Sequence, residues 1–355
     1  MENKMKSYQL VEINQPLELV ETENPEPQGT EVLIRITASG VCHSDLYFWQ
    51  GGYDMGGGKK ISIKERGIKL PLTMGHEPVG EVVAVGPDAD GVQIGDKRLV
   101  FPWIGCGECP RCLEGNDNDC ISMRTLGVLA PGGYADHVMA AHPRYLIDIN
   151  GIPEHYACTL ACAGVTSYGA LKKVHPLAAD DKVVIIGAGG VGLTGIGIAR
   201  AYLPDNELIV VDIDGEKLAA ARQAGADHTI NSSEEDALER LKEITGNGPG
   251  AIVDFVGSTE TSKLGYEATR KGGRYICVGL YGGEITIPTL TLPVRNMTVR
   301  GSYVGNLSEM HELLDLVRGG KVTPIPVEKR SMSRVTETLH DLNEGRILGR
   351  VVLVP

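Results

Sequence analysis

The stretch GCGECPRCLEGNDNDC, residues 105–120, holds Cys106, Cys109, Cys112 and Cys120, half of the chain's eight cysteines. Thiols this close pair as disulfides, bind one metal, or form a reactive centre. The N-terminal MENKMKSYQLVEINQPLELVE lacks the basic start and apolar core of a signal peptide. No run approaches the roughly 18 apolar residues of a membrane span. Such a chain is expected to be soluble and cytoplasmic, with reduced thiols. The spacing C-x2-C-x2-C-x7-C then suits four thiolates around one tetrahedral zinc. Four ligands leave no open position, so this zinc is expected to be structural and the reaction must occur elsewhere.

Other stretches carry reactive types. GAGGVG, residues 187–192, fits G-x-G-x-x-G at Gly187, Gly189 and Gly192. It follows the apolar run KVVII and opens a helical stretch, and ELIVVD further on ends in Asp212. In that context the glycines admit a pyrophosphate at a helix N-terminus, and the acid binds a ribose diol. Asp212 would repel a 2′-phosphate, and Ile213 beside it offers no compensating charge, which favours NAD over NADP. GVCHSD (40–45), GHE (75–77) and ACAGVTSYGAL (161–171) carry Cys42, His43, Ser44, Asp45, His76, Glu77 and Cys162. Each of these is weak alone.

The elements that must position these residues divide the chain. From Lys182 onward short apolar runs (KVVII, ELIVVD, HTI, AIVDFV, RYICVG) alternate with helical stretches at about 191–203, 216–224 and 261–269 and at EEDALERLKEI. That alternation predicts a parallel sheet with helices on both faces. Residues 1–160 are Val- and Ile-rich, broken by Gly and Pro, and predict a rolled β unit. After Ser302 a helix (307–317), a Pro-rich connection, another helix and the strand GRVVLVP suggest a return to the first unit. The length of 355 residues suits about two domains. With 42% hydrophobic residues but three Phe and two Trp, the cores should be aliphatic. A net charge of −12 disfavours nucleic acid and anionic membrane as partners.

Taken together in this order, CHSD, GHE, the four-cysteine lobe, CAGVT, GAGGVG with Asp212, GSYVG and GRVVL resemble the zinc-dependent medium-chain alcohol dehydrogenases over nearly the whole chain. The resemblance implies an α/β fold: a Rossmann-type doubly wound parallel sheet at 164–304, and a GroES-like β-rich catalytic domain formed by 1–163 and 305–355. It implies a catalytic zinc on Cys42, His76 and Cys162, with Glu77 a transient ligand, and two zinc ions per subunit in all. Asp45 would orient His76, and Ser44 would accept the substrate's proton. Thr166 would contact the nicotinamide, His43 and Arg350 the pyrophosphate, and Lys217 the adenosine. Gly190, Val191 and Val278 complete the expected cofactor contacts. Two thiolates and an imidazole leave an open metal position that favours loss of an alcohol proton, while NAD takes the hydride. A homotetramer is expected, with a homodimer as the alternative. ITIPTLTLPV (285–294) and TVRGSYV (298–304) offer a β-rich edge for subunit pairing.

Two departures bear on specificity. Many relatives end a proton relay in a histidine where this chain has Tyr47, and a phenol is a poor base at neutral pH. The proton is therefore expected to leave Ser44 through cofactor ribose and water. The loop GGYDMGGGKKISIKERGIKLPL (51–72) is expanded and carries Lys59, Lys60, Lys64, Arg66 and Lys69 against Asp54 and Glu65. It would either hold a substrate carboxylate at the cleft mouth, or be a solvated loop or subunit contact. With PWIGCGEC and LACAGVTSYGALKK, it resembles the 6-hydroxyhexanoate dehydrogenase branch and implies a medium-length or ω-functional alcohol. Trp49 and Trp103 are pocket walls or core; Cys158 and Cys277 are core thiols. The alternatives are a polyol or sugar dehydrogenase, against which Cys162 argues, and a zinc- and cofactor-binding protein without turnover. A zinc-free quinone reductase would lack both ligand sets.

Overall fold

The structure, a computed structural model, describes residues 4–234 and 236–355. Among these residues two large sheets dominate. The first has seven strands, in the order Leu146–Asp148, Lys97–Val100, Glu77–Val85, Val32–Gly40, Arg350–Val354 and Val327–Ser331, with His137–Ala140 also pairing on Val32–Gly40. The C-terminal strand does return, inserting between the N-terminal strand Val32–Gly40 and Val327–Ser331. The tail is therefore as much part of this sheet's core as the first hundred residues. Its inward face packs Val32, Ile34, Ile36, Val79, Val82, Leu99 and Val352, all nearly or fully buried, so aliphatic burial stabilises the unit. The strand Val327–Ser331 falls where the sequence suggested only a Pro-rich connection.

The second sheet is parallel and has six strands, in the order His228–Asn231, Leu208–Asp212, Val183–Ile186, Ala251–Asp254, Arg274–Cys277 and Thr298–Gly301. Both faces are covered, which is why VVII and AIVD are buried without interruption. Strand order reverses between Val183–Ile186 and its two neighbours, and ligands of such sheets bind beyond the carboxyl ends at that reversal. Helices Gly190–Tyr202, Gly215–Ala224 and Thr259–Ala268 lie within a few residues of their expected bounds. In EEDALERLKEI the helix runs Ala237–Thr245, and Glu235 lies outside the described residues.

One expectation fails. Residues 285–290 form no strand, and Thr291–Arg295 is a short helix with no buried residue. Pro288 and Pro293 lack the amide donors that a sheet ladder requires, so the apolar alternation cannot become a strand. At this end of the sheet the edge strand is Thr298–Gly301, exposed along its length.

Candidate active site

Cys42 lies two residues past the strand Val32–Gly40 and caps the helix His43–Trp49. Its amide donates to Asp45 Oδ2 at 2.9 Å, the N-terminal capping position in which a carboxylate satisfies a free helix donor. Tyr134 Oη donates to the same oxygen at 2.7 Å, and Asp45 Oδ1 lies 3.2 Å from His76 Nδ1. Asp45, His76 and Tyr134 are buried. One carboxylate thus fixes the helix start, accepts the Tyr134 hydroxyl and places His76 with Nε2 directed away. Burial pushes the Tyr134 phenol well up, and Asp45 adds to that, so Tyr134 serves only as a donor.

Cys162 reaches the same place from another direction. It lies in the π-helical turn Leu160–Gly164, between helices Glu154–Thr159 and Val165–Lys172. The wider turn carries one extra residue and redirects a side chain, a device frequent at functional sites. Cys42 Sγ and Cys162 Sγ are 3.9 Å apart. The neighbouring Cys162 holds the Cys42 thiol well below the usual range, while Cys162, against the same partner and buried, is pushed up. Burial would lower His76, but Asp45 outweighs it and raises it well above the usual value.

Glu77, the first residue of strand Glu77–Val85, pairs through Oε2 with Arg350 Nη2 at 2.5 Å. Arg350 also donates to the Val41 carbonyl at 3.0 Å. Burial raises the Glu77 carboxyl to about 7 despite the guanidinium's opposing pull. Ligand atoms of Cys42, His76, Glu77 and Cys162 all lie within 4.8 Å of one another, and all four residues are buried. Glu77 Oε1 and both ring nitrogens of His76 have no hydrogen-bond partner, Nδ1 only facing Asp45 Oδ1. Buried polar atoms are rarely left so, and two thiols, an imidazole and a carboxylate fit zinc.

Cys106, Cys109, Cys112 and Cys120 converge within the same limit. The amides of Cys109 and Cys106 point at Cys106 Sγ and Cys120 Sγ, each at 3.4 Å. Backbone donation from Glu108 and Cys109 brings Cys106 down to about 7, while burial pushes Cys112 up to about 12. Donors aimed at sulfur favour thiolates, as a zinc site requires.

The nucleotide elements meet this cluster at Arg350. Gly187 has φ +92°, and a Cβ on Gly192 would collide with the Gly187 carbonyl, so helix Gly190–Tyr202 packs onto its own turn only with glycine there. Around Gly189 there is open space, whereas a Cβ on Gly190 would come 2.5 Å from Arg350 Cδ. Arg350 thus spans Glu77 and the glycine turn, with Nη1 unpartnered. Thr166 Oγ1 is likewise buried and unpartnered. These orphan donors and the open turn fit a dinucleotide. Asp212 accepts from the Ala188 amide at 2.6 Å and the Asp214 amide at 3.0 Å, beside the turn. Lys217 Nζ is 3.7 Å from Asp214 Oδ2. His43 is exposed, and Val191 and Val278 are half-buried, Val278 just past strand Arg274–Cys277. Ser44 is half-buried in the first turn after Cys42.

Two aromatic walls flank the cluster. On one side His43, Tyr47 and Tyr53 follow one another at 5.4 and 4.7 Å between centroids. On the other, Trp103 stands 5.7 Å from the His76 ring and 6.0 Å from Tyr303. Burial raises the Tyr47 phenol to about 12, which removes it as a base at neutral pH. Trp103 is thus a wall, whereas Trp49 packs against His340 in a separate core. Cys158 is a core thiol; Cys277 is half-buried. Tyr134, the π-helical turn and the Arg350–Glu77 pair escaped sequence analysis. Tyr134 sits in GGYADH with no pattern of its own, and only GSYVG gave any signal for Tyr303.

A doubly wound sheet joined to a rolled β unit, with a convergent metal cluster between them, defines a metal-dependent oxidoreductase architecture. Residues 28–151 match the alcohol dehydrogenase GroES-like domain and residues 190–319 the zinc-binding dehydrogenase domain. An NAD-dependent alcohol dehydrogenase of Sulfurisphaera tokodaii is 37% identical over 99% of this chain and 100% of its own. The crystal structure of the alcohol dehydrogenase of the hyperthermophilic archaeon Aeropyrum pernix superposes with a TM-score of 0.90 at 33% identity, covering 99% of this chain and 100% of that one. A D-arabinose 1-dehydrogenase (NADP(+)) of Saccharolobus solfataricus is 31% identical over 99% and 98% of the two chains. The chain belongs to the zinc-binding medium-chain alcohol dehydrogenase family.

Proposed function

We propose that the protein oxidises alcohols with NAD and reduces aldehydes or ketones with NADH, the reacting oxygen lying at the Cys42–His76–Cys162 cluster. The observation that carries this is the convergence of four buried metal donors, His76 Nε2 orphaned, with the glycine turn joined to them through Arg350. Residues 1–163 with 305–355 form the catalytic unit, and 164–304 the nucleotide-binding unit. The protein works as a cytoplasmic homotetramer or homodimer built on the exposed edge Thr298–Gly301.

Cys42, His76 and Cys162 hold the catalytic metal, Cys106, Cys109, Cys112 and Cys120 the structural one. When bound, zinc supplies a Lewis acid that eases loss of the alcohol proton, and NAD accepts the hydride. Asp45 keeps the Nδ1 proton of His76 and so presents a neutral Nε2 to the metal. Glu77 is tethered by Arg350 through one oxygen and offers Oε1 as a further donor. Ser44 takes the substrate proton and passes it to water, since Tyr47 cannot act as base. Thr166 orients the nicotinamide, and the start of helix Gly190–Tyr202, Arg350 and His43 hold the pyrophosphate. Asp212 takes the ribose diol and rejects a 2′-phosphate, the feature that separates this reading from an NADP-linked sugar dehydrogenase. The aromatic walls suit a medium-length primary alcohol, with a functional group at its far end.

The test is zinc content together with a substrate panel. Two zinc ions per subunit, NAD-linked turnover of primary alcohols, and loss of turnover in Cys162→Ala with one zinc retained are expected. Turnover of aldoses with NADP, or full zinc loading without turnover of any alcohol or aldehyde, would overturn it.

A further inference from the structure

The chain just before the ligand His76 is held by the segment 132–134. The amides of Gly132, Gly133 and Tyr134 donate to the carbonyls of Thr73, Gly75 and Met74 at 2.8, 2.6 and 2.9 Å. On its other side Tyr134 accepts from the Tyr8 amide at 2.7 Å. A Cβ on Gly75, where φ is +90°, would come 2.5 Å from Tyr134 Cδ1. The Tyr134 ring therefore lies directly against Gly75, one residue before His76, in a packed interior that leaves it no room to swing.

From that fixed ring the hydroxyl reaches Asp45. Asp45 Oδ2 accepts two donors, the Cys42 amide at 2.9 Å and Tyr134 Oη at 2.7 Å, while Oδ1 lies 3.2 Å from His76 Nδ1. Neither Oδ1 nor Nδ1 has a hydrogen-bond partner among the described residues, so each is left facing the other. An aspartate carboxylate rotates broadly about its last bond. The Cys42 amide alone would leave that rotation open, and the second donor, 89 residues away in the chain, closes it. A bond from a hydroxyl to a carboxylate is among the stronger kinds, and here water is excluded: Tyr134 and Asp45 are 0% exposed and His76 1%. Elsewhere in the molecule Tyr275 makes the same kind of buried bond, to Asp254 Oδ2 at 2.9 Å in the nucleotide-binding sheet. Asp254 accepts besides from the Val256 and Gly257 amides, and none of these three partners is a metal donor.

We propose that Tyr134 is a positioning residue for the catalytic metal: its hydroxyl pins Asp45 Oδ2, keeps Oδ1 on His76, and so decides how firmly the Cys42–His76–Cys162 cluster holds its ion. This rests on the reading of that cluster as a metal centre. Groups behind a metal-bound imidazole fix its ring and govern affinity. Here that support is two groups deep, a carboxylate facing the imidazole and a phenol on the carboxylate. The four-cysteine lobe, a second donor set in the same chain, supplies an internal reference.

The test measures zinc affinity at each site of the whole protein, by competition with a chromogenic chelator. Cys120→Ser, which removes a donor of the four-cysteine lobe, identifies the step that belongs to that site. Tyr134→Phe should weaken the catalytic site about ten- to a hundredfold and leave the four-cysteine site within about twofold of wild type. Cobalt placed in the catalytic site should show an altered visible absorption in the same variant, because the His76 ring is no longer held in one orientation. Tyr275→Phe, which deletes a matching buried bond in the nucleotide-binding sheet, should change neither the affinities nor the cobalt spectrum. In an Asp45→Asn background, Tyr134→Phe should cost nothing further. Catalytic-site affinity that stays at the wild-type value in Tyr134→Phe, an equal loss in Tyr275→Phe, or a joint weakening of both zinc sites would overturn the proposal. A wild type that binds a single zinc, in the four-cysteine lobe, would defeat the metal reading of the cluster and the proposal with it.

Discussion

At the residue scale the site depends on a few groups with several duties. Asp45 binds the Cys42 amide, the Tyr134 hydroxyl and faces His76 Nδ1, so the helix start and the metal ligand share one carboxylate. Tyr47 shows the converse, a polar group left with no proton to move. Burial and the nearby Cys42 both disfavour its phenolate, which places its pKa about 12. Tyr47→Phe should therefore keep kcat within about twofold of wild type from pH 6 to 9. A loss beyond about tenfold, or an alkaline limb that vanishes with the hydroxyl, would return Tyr47 to the proton path.

At the scale of elements, ligands arrive on a helix cap, a strand start and a π-helical turn, each a place where regular hydrogen bonding changes. Secondary structure was legible at most of these points, since Gly and Pro punctuate the aliphatic runs. The π-helical turn was not, because LACAG has no composition that separates it from ordinary helix. Nor was the fate of 285–294, where alternation suggested strand and two prolines prevented it. The hairpin formed by Gly52–Asp54 and Lys60–Ser62 allows a clean comparison. Gly56 and Gly58 have φ of +78° and +73°, but a Cβ meets Gly283 only at Gly56. Both Ala variants should lose about 1 kcal/mol through backbone strain. Gly56→Ala alone should also lift the hairpin off Gly283 and raise the aldehyde KM severalfold. Identical kinetics in the two variants would show that the contact with Gly283 is incidental.

At the scale of the molecule, the four-cysteine lobe is tied to the chain that joins the two units. Asn118 Nδ2 donates to the Tyr303 carbonyl at 3.4 Å, Asn306 Nδ2 to Asn116 Oδ1 at 3.1 Å, and buried Asp117 accepts from Arg144 at 2.8 Å. The lobe therefore braces the Tyr303 wall as well as its own loop. Cys120→Ser should lower zinc content from two sites to one, and the thermal midpoint by at least about 5 °C. It should raise the aldehyde KM more than it lowers kcat, because the wall loosens while the catalytic ligands stay. Unchanged stability with one zinc lost would mean that the lobe folds without its metal.

Through the family resemblance the sequence pointed to Cys42, His76 and Cys162, and by itself it determined the four-cysteine donor set, the glycine turn with Asp212 and the division into a β unit and a wound sheet. These follow from local rules: ligand spacing, φ-restricted glycines and the period of apolar runs. It did not determine that Tyr134 completes the Asp45 network or that Arg350 joins Glu77 to the glycine turn. Those pairs are 89 and 273 residues apart along the chain. Arg350 reaches Glu77 because the C-terminal strand inserts beside Val32–Gly40, and Tyr134 reaches Asp45 because its backbone pairs with Tyr8 and Met74. Spacing along a chain fixes what its backbone can do locally, whereas contacts between distant segments depend on how the sheets close, and that is where charge and donors were placed.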